Sequence, residues 1–327
     1  MVLGAGLGTR LRPLSDEIPK PLLPVGDRSV LHTLLLGLAG QGAGPLVVNA
    51  HHHADQIERA VRAYDLGVRV SLEEEILGTA GGVRHARHLF SSGFVIVQNG
   101  DMLGVNAAQK LADFEDKAEL VLAVGLQGRF ATGLGAEVDS NVASLGTVGL
   151  GSVGLGSMGL GTVGLGKFGE VVRLRGEIFG DEVQSADYLG LARLSEAALD
   201  ALPDKGCLIG DFALPWLRMG KRVSTLRTDE TFLDIGDPAS YWAANLRWLE
   251  QNLSPPCLFR APGSRLASTV QAAFCVLCEN SEVSGLGVLE RVIVLPGAEA
   301  KAPLRDAIVT ASGAIVGMGG QGIGIGR

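Results

Sequence analysis

The stretch that decides the fold is Met1-Val-Leu-Gly-Ala-Gly-Leu-Gly-Thr-Arg-Leu-Arg-Pro13. Its first three residues are apolar and predict the stub of a strand. Glycines at positions 4, 6 and 8 follow at once, and backbone N–H groups in such a loop can approach an anion closely. Arg10 and Arg12 then supply positive charge, and a guanidinium can bind phosphate through two parallel hydrogen bonds. The segment predicts a strand followed by a phosphate-binding loop.

Two common nucleotide motifs do not explain this loop. Thr9 stands where the third glycine of a dinucleotide-binding GxGxxG pattern belongs, and no Gly-Lys-Ser/Thr follows for a P-loop. A second cation lies downstream in Pro19-Lys-Pro21. Both prolines fix their own φ, and the second one favours an extended conformation at Lys20. The Lys20 ammonium can therefore be directed at a second anion at low entropic cost.

Strand and helix patterns alternate outward from the loop. Helical spacing begins near Ser29 and near Asp55, where Glu58 completes a capping-box pattern, and a third helix is expected at 82–89. Strands are expected at 2–3, 45–49, 68–72, 94–97 and 120–124, and later at 171–174, 188–194, 223–226 and 232–235. Further helices are expected at 196–202, 212–219 and 238–249. The alternation predicts an α/β fold with a mostly parallel sheet flanked by helices, and ligands bind beyond the carboxyl ends of such strands.

Residues 146–170 interrupt this alternation with a period of five, reading GTVGL, GSVGL, GSMGL, GTVGL and GKFGE. Two glycines in five residues weaken any helix or strand. We interpret the tract as a surface insertion, with a small β-solenoid or a ligand loop as the alternatives.

Pro255-Pro256 marks a boundary after a first domain that spans residues 1–252. Beyond it, Val288, Val294 and Ala300 stand six residues apart among glycines, which favours a small β-rich region, of the left-handed β-helix kind, over residues 257–317. Residues 318–327 are interpreted as a flexible glycine-rich tail.

Composition narrows the class of protein. Lys and Arg number 28 against 35 Asp and Glu, and a net charge of −7 argues against sequence-blind nucleic-acid binding. The four cysteines are too few for a disulfide scaffold, and the one CxxC, Cys275 to Cys278, has no second pair at zinc-finger spacing. No apolar run spans a bilayer and no signal segment is recognisable. We therefore expect a soluble, cytoplasmic protein with no membrane and no nucleic-acid partner.

The motifs together resemble the nucleotidyltransferases that make nucleotide sugars, the NDP-sugar pyrophosphorylases. The resemblance covers about residues 1–250 apart from the repeat tract. It rests on the opening signature through Val25, Gly78-Thr-Ala-Gly-Gly82, Asn99-Gly-Asp101 and Leu233-Asp-Ile-Gly-Asp-Pro238. His51-His-His53 and the GTAGG run look most like the mannose-1-phosphate guanylyltransferase branch. The implied fold is a Rossmann-like nucleotidyltransferase domain, and that branch often carries a β-helix-like extension.

The resemblance implies a reaction in which a sugar 1-phosphate oxygen attacks the α-phosphate of a nucleoside triphosphate and pyrophosphate leaves. It implies Arg10, Lys20 and Asp101 as catalytic residues and Asp101 with Asp234 as ligands of Mg²⁺, the expected cofactor. It implies that nucleotide contacts come from the opening loop, the GTAGG turn and one strand end, namely Leu3, Gly4, Ala5, Gly6, Gly8, Thr9, Arg10, Gly78, Thr79, Ala80 and Asn99. Gly190 matches a glycine near the sugar. An ordinary helix cap at Thr79 is compatible with these contacts.

Departures from the family pattern concern the sugar. Many members carry a Glu-Lys pair that binds the sugar phosphate, but the corresponding stretch here is Val171-Val-Arg-Leu-Arg-Gly-Glu177. Lys167 lies in the repeat tract, and Arg173 or Arg175 could substitute. Gly4 stands where alanine is usual, with a modest effect expected. His51, His52 and His53 alternate in direction on an extended segment, so one metal ion cannot easily bind all three.

The best interpretation is GTP plus mannose 1-phosphate giving GDP-mannose and pyrophosphate. Uridylyl or thymidylyl transfer to glucose 1-phosphate is the nearest alternative, and a non-catalytic regulatory relative that binds a nucleotide sugar is the second. The expected partners are the NTP and the sugar 1-phosphate, and a homo-oligomer is compatible with the sequence. An acyltransferase role for the tail is disfavoured because all six histidines lie between His32 and His88.

Overall fold

The computed structural model describes residues 1–91, 93–126, 162–230 and 232–318, and the backbone of 324–325. Residues 146–161 of the repeat tract and most of the predicted tail, 318–327, lie outside the described residues. No helix in the described ranges is both long and apolar enough to cross a lipid bilayer.

Twenty-two strands are found in the described residues. The region up to residue 252 holds β1 Val2–Leu3, β2 Pro24–Val25, β3 Arg28–Ser29, β4 Val47–Ala50, β5 Arg69–Leu72, β6 Phe94–Asn99, β7 Met102–Leu103, β8 Leu120–Leu126, β9 Val163–Leu165, β10 Val171–Leu174, β11 Glu177–Ile178, β12 Gln184–Ser195, β13 Val223–Thr228 and β14 Leu233–Asp234. The carboxyl-terminal region holds β15 Leu258–Arg260, β16 Arg265–Leu266, β17 Val270–Ala273, β18 Cys275–Leu277, β19 Glu282–Val294, β20 Glu299–Val309, β21 Ala314–Gly317 and β22 Gly324–Ile325.

Ten of these strands form the central sheet, in which β5, β4, β1 and β6 are parallel neighbours. Val2 is level with Val48 on one side and with Gln98 on the other, so three strand ends meet at Leu3. The second half of the chain adds β12, which runs antiparallel to β6, β8 and β9. The predicted α/β class and its parallel amino-terminal strands are confirmed, and the antiparallel strands come from the second half.

Eight α-helices flank the sheets in the described ranges: α1 Leu14–Glu17, α2 Val30–Gly40, α3 Ala54–Tyr64, α4 Gly78–His85, α5 Ala108–Ala112, α6 Glu196–Asp200, α7 Leu214–Arg218 and α8 Pro238–Asn252. Strand residues alternate between faces, so Val48 packs with α2, α3 and α8 while Val47 packs with α4, α6 and α7. Each fully buried Val or Leu contributes about 1.5–3 kcal/mol of apolar burial. The helices thereby fix the strand ends that carry the polar residues.

The carboxyl-terminal strands form a β-rich region, as predicted. Most parallel register partners lie 17 residues apart, as in Leu258 with Cys275 and Val276 with Ile293, whereas Leu289 and Leu304 are 15 apart. A chain that returns beside itself every 15 to 17 residues is coiled, and we call this region, residues 258–317, the β-coil. The six-residue spacing fails at Val288, because the register of β19 on β20 shifts between Gly285 and Leu289 and the buried residue is Leu289.

Several local predictions need correction. Helix α3 begins at Ala54 with His53 as its cap, and Asp55 makes an ion pair with Arg59 instead of a capping box. Helix α4 begins at Gly78, four residues before the predicted start. The repeat tract is not a surface insertion throughout, because Val163–Leu165 is a buried strand between β10 and β12. Its alternating apolar residues pack into the core despite the glycines.

Candidate active site

A cavity of about 300 Å³ opens where the parallel strands β1, β4 and β6 end. Most of the predicted site residues line it: Leu3, Gly4, Ala5, Gly6, Gly8, Thr9, Arg10, Lys20, Gly78, Thr79, Asn99 and Asp101. Ala80, Gly190 and Asp234 do not line it, but each lies next to a residue that does, namely Thr79, Asn99 and Gly236. Most residues predicted from the sequence therefore lie together at one cavity, and the strand order explains why motifs far apart in the chain meet there.

The glycine loop needs glycine for different reasons at different positions. A Cβ on Gly4 would lie 2.8 Å from the Asn49 carbonyl oxygen, so alanine does not fit there without a shift. Gly6 has open space around its Cβ position and lines the cavity, so its backbone is available to a ligand. Gly8 has φ +63°, the left-handed conformation that glycine adopts most easily. The expectation of only a modest role for Gly4 is therefore revised.

Two buried polar residues, to which the sequence analysis gave no specific role, hold this loop. Asn49, at the end of β4, accepts a hydrogen bond from the Gly4 N–H at 2.8 Å and donates to Glu73 Oε1 at 2.6 Å. Glu73 Oε2 accepts from the Leu77 N–H at 3.1 Å, immediately before the GTAGG turn. The exposed fractions of Asn49 and Glu73 are 3% and 5%. The sequence signal that could have identified them is their position, because each is a polar residue at the carboxyl end of a strand, β4 for Asn49 and β5 for Glu73.

The GTAGG turn is fixed by the loop at 204–208. Gly78 has φ +77°, and a Cβ there would lie 2.5 Å from the Gly206 carbonyl oxygen. That oxygen accepts from the Ala80 N–H at 2.8 Å, and Gly206 N–H donates to Leu77 at 2.8 Å. Thr79 is not a helix cap, because its hydroxyl accepts from the Leu208 N–H at 2.6 Å. The turn presents a rigid small-residue surface to the cavity.

The two predicted carboxylates converge from opposite halves of the chain. Asp234 on β14 is level with Met102 on β7, and the Ile235 N–H donates to the Asp101 carbonyl at 3.1 Å. Lys20 Nζ lies 2.5 Å from Asp101 Oδ2. Burial, followed by repulsion from Asp101, raises the pKa of Asp234 although Lys20 and Arg10 oppose the shift. The site thus concentrates charges of both signs.

The residues fit a divalent cation. Asp234 Oδ1 is buried and accepts no hydrogen bond from the described part of the chain. A buried carboxylate oxygen without a partner is costly, and a cation shared with Asp101 would supply the missing partner. No group of three His, Cys, Asp or Glu is arranged for a metal within the described ranges. Mg²⁺ accepts one or two carboxylates when phosphate oxygens complete its shell, so the pair suffices in chemical terms.

Arg10 approaches this acidic pair from the glycine loop. A Cβ on Gly236 would lie 3.0 Å from both an Arg10 guanidinium nitrogen and Asp234 Oδ1. The absence of a side chain at Gly236 therefore leaves room for the guanidinium beside the carboxylate. Gly190 leaves room for Asn99 in the same way, since it has φ +69° and a Cβ there would lie 2.9 Å from Asn99 Nδ2.

The three candidate cations for a sugar phosphate differ in their surroundings. Arg173 makes a two-point ion pair with Glu182, with N–O distances of 2.7 and 3.0 Å. Lys167 is exposed at the turn between β9 and β10. Arg175 is exposed, and its Nη2 lies 3.4 Å from Cys207 Sγ, in the loop that fixes the GTAGG turn. Arg175 is therefore the best placed of the three.

Tyr188 connects this region to the acidic pair. Its phenol pKa is raised by burial, and then by the neighbouring Cys207 and Asp101. Cys207 is partly exposed, and its N–H donates to Asp211 Oδ2 at 2.7 Å. Tyr188 is thus within electrostatic range of Asp101 and of Cys207, which Arg175 contacts.

The predicted triple histidine is part of the scaffold around the loop. His51 Nδ1 lies 2.9 Å from the Glu73 carbonyl oxygen, and His53 Nε2 lies 3.2 Å from the Asp16 carbonyl oxygen. Each of these ring nitrogens must carry the proton in order to donate.

Comparison with known proteins agrees with this geometry. Residues 1–141 match the nucleotidyl transferase family model. The chain is 37% identical over 119 residues to the N-acetylmuramate alpha-1-phosphate uridylyltransferase of Caulobacter vibrioides, covering 35% of this chain and 49% of the relative. It is 25% identical over 268 residues to the mannose-1-phosphate guanyltransferase of Debaryomyces hansenii, covering 76% of this chain and 64% of the relative. The chain thus spans between about half and just under two thirds of these relatives' lengths.

The fold has solved counterparts. HddC from Yersinia pseudotuberculosis, in a complex with GMP-PN, superimposes with a TM-score of 0.56 at 23% identity. The superposition covers 76% of this chain and 97% of that one. The match over residues 1–141 and these relatives show that the amino-terminal part of this chain is similar to nucleotidyl transferases, and the solved structure shows a similar fold.

Proposed function

We propose that the chain is an enzyme that transfers a nucleoside monophosphate from a nucleoside triphosphate to a sugar 1-phosphate and releases pyrophosphate. The observation that carries the proposal is the meeting of Asp101 and Asp234 with Lys20 and Arg10 at the mouth of a glycine-lined cavity. Such a reaction needs positioning of the two substrates and neutralisation of phosphate charge more than a covalent intermediate.

The chain's own residues would divide this work. Backbone N–H groups of the open Gly6 region would bind phosphate oxygens, and the GTAGG turn would bind the base. Arg10 would hold the β- and γ-phosphates, which leave as pyrophosphate when the bond to the α-phosphate breaks. Lys20 would neutralise charge on the reacting phosphates. We propose Asp101 and Asp234 as the ligands of Mg²⁺, which supplies neutralisation of phosphate charge when bound.

We further propose that Arg175 binds the phosphate of the sugar 1-phosphate. Its guanidinium has no acidic partner in the described residues, whereas Arg173 is paired with Glu182. Gly190 and Tyr188 would lie near the sugar.

Guanylyl transfer to mannose 1-phosphate is the first candidate for the substrate pair. It is supported by the Debaryomyces hansenii relative, whose match extends over most of this chain. Uridylyl transfer is the second candidate, because the Caulobacter vibrioides relative has the higher identity over a shorter stretch.

The test measures pyrophosphate release by the full chain with Mg²⁺, using GTP, UTP, dTTP, CTP and ATP against a panel of sugar 1-phosphates. We expect turnover with GTP and mannose 1-phosphate. Turnover with UTP but not with GTP would replace the guanylyl assignment and leave the enzyme class intact. Binding of nucleotide without turnover on any sugar 1-phosphate would favour a regulatory relative and reject the enzyme.

A further inference from the structure

The short helix α1 lies between Arg10 and Lys20 in the sequence and contacts the glycine loop at Gly8. Its Ser15 is buried and donates its hydroxyl hydrogen to the Gly8 carbonyl oxygen at 2.8 Å. The Cβ position of Gly8 lies 3.0 Å from the Ser15 Cβ and 3.4 Å from the Lys20 Cβ. Because Ser15 is hydrogen-bonded to Gly8 and no side chain would fit on Gly8 beside Ser15 and Lys20, a displacement of α1 would disturb the packing of the loop that precedes it and of the lysine that follows it.

The last residue of α1, Glu17, contacts the β-coil, which lies outside the region that carries the candidate site. Glu17 accepts hydrogen bonds from the backbone N–H groups of Ala311 and Ser312, at 2.9 and 3.1 Å. These two residues belong to a turn of the β-coil between β20 and β21. A carboxylate that accepts two N–H donors forms charge-assisted hydrogen bonds, which are stronger than neutral ones.

The turn that receives Glu17 is itself well fixed. Thr310 is buried, and its hydroxyl lies 2.9 Å from the Ser312 hydroxyl and accepts from the Ala314 N–H at 3.2 Å. Burial alone would raise the pKa of Glu17, but hydrogen bonds from Ser312 and Thr310 outweigh it and lower that pKa. Glu17 is therefore held in its ionised form by this turn.

The β-coil is joined to the catalytic region by side chains of α8. Trp242 Nε1 donates to the Arg291 carbonyl oxygen at 2.8 Å, and the Trp248 ring packs edge-on against Phe259 at 5.4 Å. One apolar core includes both Leu14 of α1 and Val309 of the β-coil. The turn at 310–312 is thus a rigid point to which α1 can be attached.

We propose that Glu17 is a positioning residue through which the β-coil holds the anion loop in its binding geometry. The contact fixes α1, α1 fixes Gly8 and Lys20, and the loop carrying Arg10 is thereby ready for a triphosphate. This inference rests on the proposed function. It gives the carboxyl-terminal region a part in triphosphate affinity, although none of its residues lines the cavity in the described ranges.

The experiment compares Glu17→Gln and Glu17→Ala with the wild type in the full chain. The matched control is Glu282→Gln, which makes the same chemical change on an exposed β-coil residue that pairs only loosely with Arg265 at 3.5 Å. The measurements are kcat, KM for each substrate, equilibrium binding of the triphosphate with Mg²⁺, and Tm. Assays are run well below the lowest Tm, so that every variant is folded.

We expect KM and Kd for the triphosphate to rise about fivefold in Glu17→Ala and less in Glu17→Gln, which keeps one acceptor oxygen. KM for the sugar 1-phosphate should stay within twofold, and Glu282→Gln should match the wild type. Unchanged triphosphate affinity in both Glu17 variants would overturn the proposal, and so would an equal rise in both KM values. Absence of triphosphate binding by the wild type would instead overturn the proposed function, and this inference with it.

Discussion

The two halves of the candidate site are built differently. The half formed by residues 3–101 consists of backbone loops held by buried hydrogen bonds, such as those from Gly4 to Asn49 and from Asn49 to Glu73. The half formed after residue 162 contributes side chains, both the partly buried Asp234 and, from an exposed turn, Arg175 against Cys207. In the first half, a substitution that shifts one loop breaks several hydrogen bonds at once. In the second half, one side chain can be replaced without disturbing its neighbours.

The difference has a physical basis. Close approach of a backbone to phosphate requires fixed N–H groups, and these are fixed only when the surrounding polar atoms are satisfied. A phosphate on a smaller substrate can be bound by one long cation, which tolerates changes in chain length and sequence. We therefore expect substitutions in the first half to impair binding of the triphosphate severely, and substitutions in the second to alter selectivity for the sugar.

The largest effect is expected where the halves meet. Asp101→Asn should lower kcat by about 10²–10³-fold, because it removes charge at the reacting centre and leaves Lys20 without its partner. Single-turnover pyrophosphate release measures this. Asp55→Asn, which changes an exposed residue of α3 paired with Arg59, is the control and should retain activity. A fall of less than tenfold would contradict a role for Asp101 in the reaction.

The next largest effect is expected within the glycine loop. Gly4→Ala should raise KM for the triphosphate by about ten- to a hundredfold and lower stability by about 1–3 kcal/mol, because its Cβ would meet the Asn49 carbonyl. A Cβ on Gly6 would meet open space, so Gly6→Ala should leave the stability of the protein unchanged. It should weaken binding of the triphosphate, because the methyl group enters the cavity. Denaturant titration and KM distinguish the two. Equal stability losses would refute the different roles of these glycines.

A smaller and more selective effect is expected in the second half. Arg175→Ala should raise KM for the sugar 1-phosphate about tenfold and leave KM for the triphosphate nearly unchanged, because one charge-assisted contact is lost. Arg173→Ala breaks the ion pair with Glu182 and should lower Tm without this change in KM. If Arg173→Ala alone raised KM for the sugar 1-phosphate, the assignment of the two arginines would have to be exchanged.

The smallest effect concerns how the acidic pair, Asp101 and Asp234, affects the stability of the folded protein. The pKa of Asp234 is raised by burial and by Asp101, so its protonated form is favoured on folding. Its stabilising contribution is present below the ordinary Asp pKa and is lost as pH rises through the raised value. Asp234→Asn should therefore have a higher Tm than the wild type at pH 7 without Mg²⁺, with the difference shrinking in acid. A lower Tm for this variant at pH 7 would contradict the sign.

The raised pKa of Asp234 also predicts how kcat depends on pH in acid. Because Asp234 must be ionised to bind a cation, kcat should fall with decreasing pH earlier than an ordinary Asp would allow. Measurements of kcat against pH at saturating Mg²⁺ test this, and Lys20 and Arg10 are the groups that oppose the shift.

Much of the fold and the site follows from local sequence. The glycine spacing after Leu3, the prolines around Lys20 and the strand preceding Asp101 predict a phosphate loop and an acidic residue at the same sheet edge. Glu73 and Asn49 could not be assigned, because a buried carboxylate and a buried amide show their role only when their partners are known. The strand in the repeat tract was missed for a related reason, since two glycines in five argue against a strand until neighbouring strands supply the hydrogen bonds.

The sequence by itself determined which loop has the glycines and cations that can approach an anion, and which strands alternate with helices. Those properties depend on residue type and spacing over a few positions. Only the tertiary structure decided that Asp234 lies beside Asp101, that Arg175 and not Arg173 has no acidic partner in the described residues, and that Glu17 is bound by a turn some 295 residues away. Contacts between residues far apart in sequence depend on strand order and packing, which no local pattern records.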